Sequence, residues 1–289
     1  MSLQDRLHHH VEVLAELIGE RNSSRPTSLD ATRTYVRREL EEMGYQVDEQ
    51  PFATLDRQAI NLQVVLPGAR ANKPTLVIGA HYDTARGTPG ADDNASAVAI
   101  LLEIARELSN HKARRGVRIV FYDCEEPPYF NTGDMGSRFH AVQLKQSGEN
   151  VLGMICLESL GYFVKEANTI NAVPRWLRWI TRIFGQKFVV IVSDPKSIRF
   201  GWKFTWRFAT SGVFPFIAAA LPVRWVPEIA LSDHRNYWEQ NIPALMITDT
   251  ALLRNPNYHT ADDRIDTLDF KRMTRLCRQL QRTVRRMCN

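Results

Sequence analysis

The chain has 289 residues, 44% hydrophobic and 24% charged, a globular composition with material for a sizeable core. Its net charge of +5 invites a polyanionic partner, but no nucleic-acid module or stacking platform accompanies the basic residues, so nucleic acid is not expected to bind. No apolar stretch approaches the roughly 20 residues that cross a bilayer, and membrane contact is not expected.

Leu7, Val11, Leu14, Leu17 and Ile18 recur at helical spacing and predict an amphipathic first helix. A second helix is expected from a Ser28 cap to Met43, stopped by Gly44. Strands are expected at 46–54, 60–66 and 75–80, a helix at 95–108, and strands at 117–122 and 151–157. A strand at 244–248 and a basic amphipathic helix at 268–287 follow. Alternating strands and helices predict an α/β fold with a mixed, mostly parallel sheet and helices on both faces. No linker, repeat or low-complexity tract divides the chain, so residues 1–289 are read as one domain. The polar start of the chain as given predicts a cytoplasmic protein. Cys124, Cys156, Cys277 and Cys288 show no CxxC spacing, and Cys124 and Cys156 read as reduced and packed.

In such sheets function gathers beyond the carboxyl ends of the strands, and the unusual polar residues fall there. His81 and Asp83 follow one strand, Glu125 and Glu126 another, and Glu158 ends a third; Asp92 and Asp93 precede the helix at Ala95. His81, Asp93, Glu126, Glu158 and His259 form a candidate ligand set. Imidazole and carboxylate without thiolate suit zinc, cobalt or manganese in a catalytic site. Two adjacent metals need one shared carboxylate and about two further ligands each, which this set supplies. In the pair Glu125–Glu126, one carboxylate can bind metal while the other takes a proton from water.

The segments His81-Tyr-Asp-Thr, Gly90-Ala-Asp-Asp-Asn-Ala-Ser, Tyr122-Asp-Cys-Glu-Glu, Met135-Gly-Ser-Arg, Ser232-Asp-His and Tyr258-His-Thr-Ala-Asp-Asp occur in this order. As a set they resemble the co-catalytic zinc aminopeptidases, the family of bacterial leucyl aminopeptidase and glutamate carboxypeptidase II, also related to glutaminyl cyclases. The resemblance runs from about Thr75 to the C-terminus and is weakest between Tyr162 and Leu231. It implies a zinc-exopeptidase-like fold of the phosphorylase/hydrolase type and a peptide or small amide substrate. It also implies two zinc ions bridged by Asp93, with His81 and Glu158 on one and Glu126 and His259 on the other. Glu125 would be the general base, Asp83 the acceptor of the second His81 ring N–H, and Tyr258 a donor to the oxyanion. A cis peptide is implied at Asp93–Asn94.

Two departures stand out. Glu158 takes the place of the family's usual aspartate, and the stretch from Pro127 to Asp134 is longer than its short link, so an insert at the mouth of the site is expected. Residues 162–230, with Trp176, Trp179, Trp202 and Trp206, read either as a wall or lid selecting a hydrophobic side chain or as a packed core with snorkelling cations. Asp233 either backs the ligands or faces substrate, and His140 and His234 stay open. His8, His9 and His10 read as a solvated helix start. Two rival functions remain: a glutaminyl-cyclase-type acyltransferase with one zinc, and a non-catalytic binding protein on the same fold. Oligomeric state is not encoded in any motif.

Overall fold

Alternating side chains on the buried strands build two cores. In β3 (Thr75–His81), Leu76, Ile78 and Ala80 face one side and Val77 the other; β4 (Val117–Tyr122) sends Val117, Ile119 and Phe121 one way and Val120 and Tyr122 the other. Strands buried on both faces read as continuous apolar runs, which is why these two were legible in sequence. The structure is a computed structural model that describes residues 1–70, 72–163 and 187–289. Among them, β1 (Asp48–Ala53), β2 (Gln58–Leu66), β3, β4, β5 (Val151–Glu158), β6 (Val189–Ser193), β7 (Phe216–Ala220) and β8 (Ala244–Thr248) form one sheet, in the order β1-β2-β4-β3-β5-β8-β6-β7. The four central strands run parallel, β1 and β2 are antiparallel, and β6 turns antiparallel against β8. The mixed α/β sheet expected from the sequence is therefore present.

The larger core lies under α1 (Leu3–Val11), α2 (Pro26–Glu42), α3 (Ala97–Ser109), α5 (Ile198–Ala209) and α8 (Phe270–Cys288). The opposite face carries α4 (Gly136–Gln146) and α6 (His234–Glu239), whose Ala141, Leu144 and Tyr237 pack on Val77, Val120 and Met154, and the short α7 (Ala251–Arg254) follows β8. Helices thus cover both faces. Because β3 leads through α3 to β4 on one side while β5 pairs on its other side, the chain reverses direction at β3, and a crevice opens beyond its end.

Several expectations need correction. The second helix starts at Pro26, with Arg25 at the cap position and no side-chain cap; proline at the first helical position presets φ where an N–H would go unpaired anyway, so Ser28 already lies inside the helix. Of the three consecutive histidines only His8 and His9 are exposed. His10 is buried, with Nδ1 2.6 Å from the Tyr35 hydroxyl and Nε2 3.4 Å from Glu103. In the 162–230 segment, residues 164–186, including Trp176 and Trp179, lie outside the described residues. The described remainder extends the sheet by β6 and β7 and packs α5 on it through Phe200, Phe204 and Phe208. Trp202 and Trp206 are not core residues: they are 74% and 53% exposed.

Candidate metal centre

Three strand ends and two loops converge on the crevice. β3 ends on His81, and the next turn brings Asp83 back beneath it. His81 Nδ1 lies 3.2 Å from the Asp83 carbonyl oxygen and 3.4 Å from its carboxylate. The hydrogen bond to the carbonyl selects the Nδ1–H tautomer and turns Nε2 toward the crevice. The Asp83 carboxylate accepts the main-chain N–H groups of Glu125 (3.2 Å) and Glu126 (3.0 Å), tying the β4 loop to β3. Asp83 thus accepts the second His81 ring N–H as expected, chiefly through its carbonyl oxygen, and its carboxylate also ties down the two glutamates.

Asp93 is fastened by its neighbours. Gly90, with φ +62°, lets the turn close where any Cβ would lie 2.3 Å from the Asp93 carbonyl oxygen. Buried Arg21 donates to the carbonyls of Tyr82, Pro89 and Gly90, as well as Leu14 and Gly19, fixing the whole loop. The Asp263 carboxylate accepts the N–H groups of Asp92 and Asp93 at 3.0 and 3.1 Å. Asn94 spans to β5 by donating to Leu157 O and accepting from Ser159 N. The Asp93–Asn94 peptide is cis. Neither Arg21 nor Asp263 stood out in the sequence as part of this framework. A lone arginine after Gly-Glu carries no motif, and Asp263 sits inside a motif read for its histidine.

The result places one carboxylate between two imidazoles: Asp93 Oδ1 is 3.3 Å from His81 Nε2, and Oδ2 is 3.1 Å from His259 Nε2. On the first side Glu158 Oε2 lies 3.3 Å from His81 Nε2; on the second, Glu126 Oε1 lies 3.2 Å from His259 Nε2. Glu158 is steadied by Ser232, whose hydroxyl donates to Oε2 at 2.6 Å, and by Ser159 on Oε1 at 3.1 Å. The Ser232 contact was not foreseen: the extra methylene of glutamate carries the carboxylate within its reach. Glu125 Oε2 stands 3.9 Å from His81 Nε2, close to the group but outside hydrogen-bond range. Cys124, Ser159 and His259 adopt positive φ (61°, 45° and 59°), so left-handed backbone, costly outside glycine, clusters at the residues that aim these side chains. The Tyr258 ring stacks on His259 with centroids 3.9 Å apart, and its hydroxyl makes no hydrogen bond among the described residues. The Phe130, Asn131 and Thr132 side of the insert lines a small cavity with Ser232 and Asn236, which sets it beside the Glu158 end of the site.

The electrostatics call for a cation. Burial pushes the Glu125 carboxyl well up against the pull of His81, and burial together with Asp93 pushes Glu126 up to about 8. Asp233, fully buried between Ser232 and α6, rises to about 7 through burial, offset in part by His81. Burial works to lower His259, but hydrogen bonds to Asp93 and Glu126 prevail and raise it to about 10; His81 is likewise raised by Glu158 and Glu125 against its burial. Carboxyl groups outnumber imidazoles here, and ionising them in a buried site without a cation is costly, which is why their proton affinities rise. His81 Nε2, Asp93 Oδ1 and Glu126 Oε1 are buried without a hydrogen bond among the described residues, although ion-pair partners lie at 3.2–3.3 Å. Atoms that close yet not aimed at one another are what lone pairs directed at a common point produce. One atom from each of these three residues falls within 4.8 Å of the other two. The donor set fits zinc: imidazole nitrogen and carboxylate oxygen, with Cys156 turned away onto Ser232.

A site of this composition at the strand ends of this sheet is that of a metallopeptidase. The family model described as "Peptidase family M28" matches residues 61–188. The uncharacterised protein YfbL of Escherichia coli (strain K12) is 33% identical over 280 residues, covering 94% of this chain and 84% of its own. The chain belongs to peptidase family M28. Leucine aminopeptidase 1 of Fusarium vanettenii is 26% identical over 230 residues, 72% of this chain and 50% of that protein, so the chain spans about half the length of that relative. Among solved structures, the LapA aminopeptidase of Legionella pneumophila superposes with a TM-score of 0.74 at 20% identity, covering 99% of this chain and 72% of that one. A Bacteroides thetaiotaomicron glutaminyl cyclase gives 0.70 at 19%, covering 97% of both chains. At those identities the structural likeness concerns the fold.

Proposed function

We propose that the protein is an aminopeptidase that holds two zinc ions side by side and hydrolyses the amide bond after a free N-terminal residue. The observation that carries this reading is the Asp93 carboxylate, with one oxygen facing His81 and the other His259, and Glu158 and Glu126 completing the two pairs. His81 and Glu158 would hold one ion, Glu126 and His259 the other, and Asp93 both. Zinc bound there supplies Lewis-acid polarisation of the scissile carbonyl and lowers the pKa of water toward about 7. The chain's own residues do the rest. Glu125 takes the proton of the attacking water on its carboxylate and passes it to the leaving amine. Tyr258, braced by stacking on His259, presents its hydroxyl, free of hydrogen bonds among the described residues, as donor to the developing oxyanion. Asp83 keeps Glu125 and Glu126 in register with His81 through the two main-chain N–H bonds.

The glutaminyl-cyclase reading shares the fold but uses one zinc, and the paired ligand sets favour hydrolysis over it. A panel of aminoacyl-nitroanilides alongside an N-terminal glutaminyl peptide separates the two. Nitroaniline release with the glutaminyl peptide left uncyclised supports the aminopeptidase. Pyroglutamyl product without nitroaniline from any substrate assigns the cyclase, and neither product assigns a binding protein.

A further inference from the structure

The helix α5 buries Phe200, Phe204 and Phe208 against the sheet, as a surface helix should, yet its outer face is apolar as well. Ile198, Trp202 and Trp206 recur at every fourth residue along that face and are 50%, 74% and 53% exposed. Beside them, one position on, runs a second stripe at the same spacing: Arg199, Lys203 and Arg207. Val213, just past the helix end, is 99% exposed. Solvated helix faces carry mixed charges, and this one presents tryptophan and cations with no carboxylate between them.

The charge continues onto α8. Arg286 and Arg207 guanidinium groups lie 5.5 and 5.9 Å from the Trp206 ring centre. Arg286 also donates to the Thr210 and Ser211 hydroxyls, and Arg207 to the Arg286 carbonyl. Thr210, Ser211, Arg282, Arg285, Arg286 and Asn289 line a cavity of about 290 Å³. Within this set Arg285 pairs with Glu107, while Arg199, Lys203, Arg207, Arg282 and Arg286 have no carboxylate within ion-pair distance among the described residues. Partial burial, followed by the repulsion of cationic neighbours, lowers the proton affinity of Lys203 and Arg207; Arg115 is such a neighbour of both. The end of α8 is also fixed in the fold. The Cys288 carbonyl accepts the N–H groups of Arg114 and Arg115, just before β4 begins, so the basic cavity lies toward the strand starts and the acidic site at the strand ends.

We propose that the α5 face and the adjoining arginine cavity dock this protein on an anionic phospholipid surface. Trp202 and Trp206 would seat at the headgroup level, where amphipathic indoles concentrate. The unpaired cations would meet the negative surface potential, and the cavity would take a headgroup phosphate. The acidic site at the far edge of the sheet then faces solution. The proposal runs against the sequence-based expectation of no membrane contact.

The test is co-sedimentation of the full chain with phosphatidylcholine vesicles, with and without phosphatidylglycerol, at low and high salt. Binding is expected to the anionic vesicles alone and to fall with salt. Trp202→Ser and Trp206→Ser should each weaken it on the order of ten-fold. Arg199→Gln and Lys203→Gln should each weaken it about five-fold. These side chains are outside the site, so peptide hydrolysis in solution is expected to stay unchanged, and the binding readout does not depend on that activity. Equal sedimentation with neutral and anionic vesicles, or anionic binding indifferent to all four substitutions, overturns the proposal. So does a dimer in sedimentation velocity that Trp202→Ser dissolves, which gives the face to a second copy, or retention on duplex DNA in place of vesicles.

Discussion

Replacing Glu125 by glutamine tests the division of labour between two adjacent carboxylates. The substitution keeps side-chain shape and leaves the main-chain N–H of residue 125 on Asp83 Oδ1 at 3.2 Å. Glu125 Oε2 stands 3.9 Å from His81 Nε2, outside the contacts that join His81, Asp93 and Glu126, so the ligand geometry does not depend on it. What is lost is a proton acceptor. General bases contribute roughly 10²- to 10⁴-fold, or about 3–5 kcal/mol of barrier, and kcat should fall by that factor with KM little changed. Glu126→Gln is the control. Its Oε1 lies 3.2 Å from His259 Nε2 inside the cluster, so this variant should lose zinc along with activity. Elemental analysis and single-substrate kinetics on both variants provide the readout. A Glu125→Gln enzyme within ten-fold of the parent, or one that loses zinc as Glu126→Gln does, would show the roles to be wrongly divided.

Three further outcomes are expected. Glu158→Ala should weaken zinc on the His81 side more than on the His259 side in a two-phase zinc titration. Glu158→Asp should be milder, though it leaves the Ser232 hydroxyl without its 2.6 Å acceptor at about 1 kcal/mol of stability. Arg21→Leu strips the cation from five main-chain carbonyls of a buried loop and should lower urea stability by at least about 3 kcal/mol, with zinc affinity falling as Asp93 loosens. In the metal-free protein Glu126 is raised to about 8 and His259 to about 10, so both carry protons near neutrality that zinc must displace. Zinc affinity should therefore rise with pH from about 6 to 8 and fall as pH drops. Calorimetry in buffers of differing ionisation heat should show proton release, and pH-independent affinity would refute those assignments.

The parts of this molecule that were legible in sequence are those whose local pattern and tertiary role agree. Strands β3, β4, β5 and β8 are continuous apolar runs because helices cover both of their faces, and their ends showed acids and a histidine where polar residues are otherwise rare. β7 is not announced by its sequence because Phe216-Ile-Ala-Ala-Ala carries a single β-branched residue before three alanines; its place beside β6 at the sheet edge comes from pairing that the local pattern does not show. α4 was passed over because Gly136-Ser-Arg-Phe-His has a weak apolar stripe and was read only for its Met135-Gly-Ser motif. In the site, the residues with metal-binding side chains could be picked from type and position. Their supports could not. Arg21 reaches Tyr82, Asp263 reaches Asp92 and Asp93, and Ser232 reaches Glu158, partners 61 to 171 positions away, through main-chain atoms or a single hydroxyl, and nothing in their own neighbourhood signals it. The outward tryptophans of α5 misled for the opposite reason, since bulky aromatics at helical spacing ordinarily point inward.

The central claim is that Asp93 joins two metal ions, and native mass spectrometry of the full chain during a zinc titration tests it most directly. The account predicts two zinc ions per chain, with Asp93→Asn losing both together, since each half of the site shares that carboxylate. Saturation at a single zinc ion, or an Asp93→Asn protein that still binds two, would contradict it.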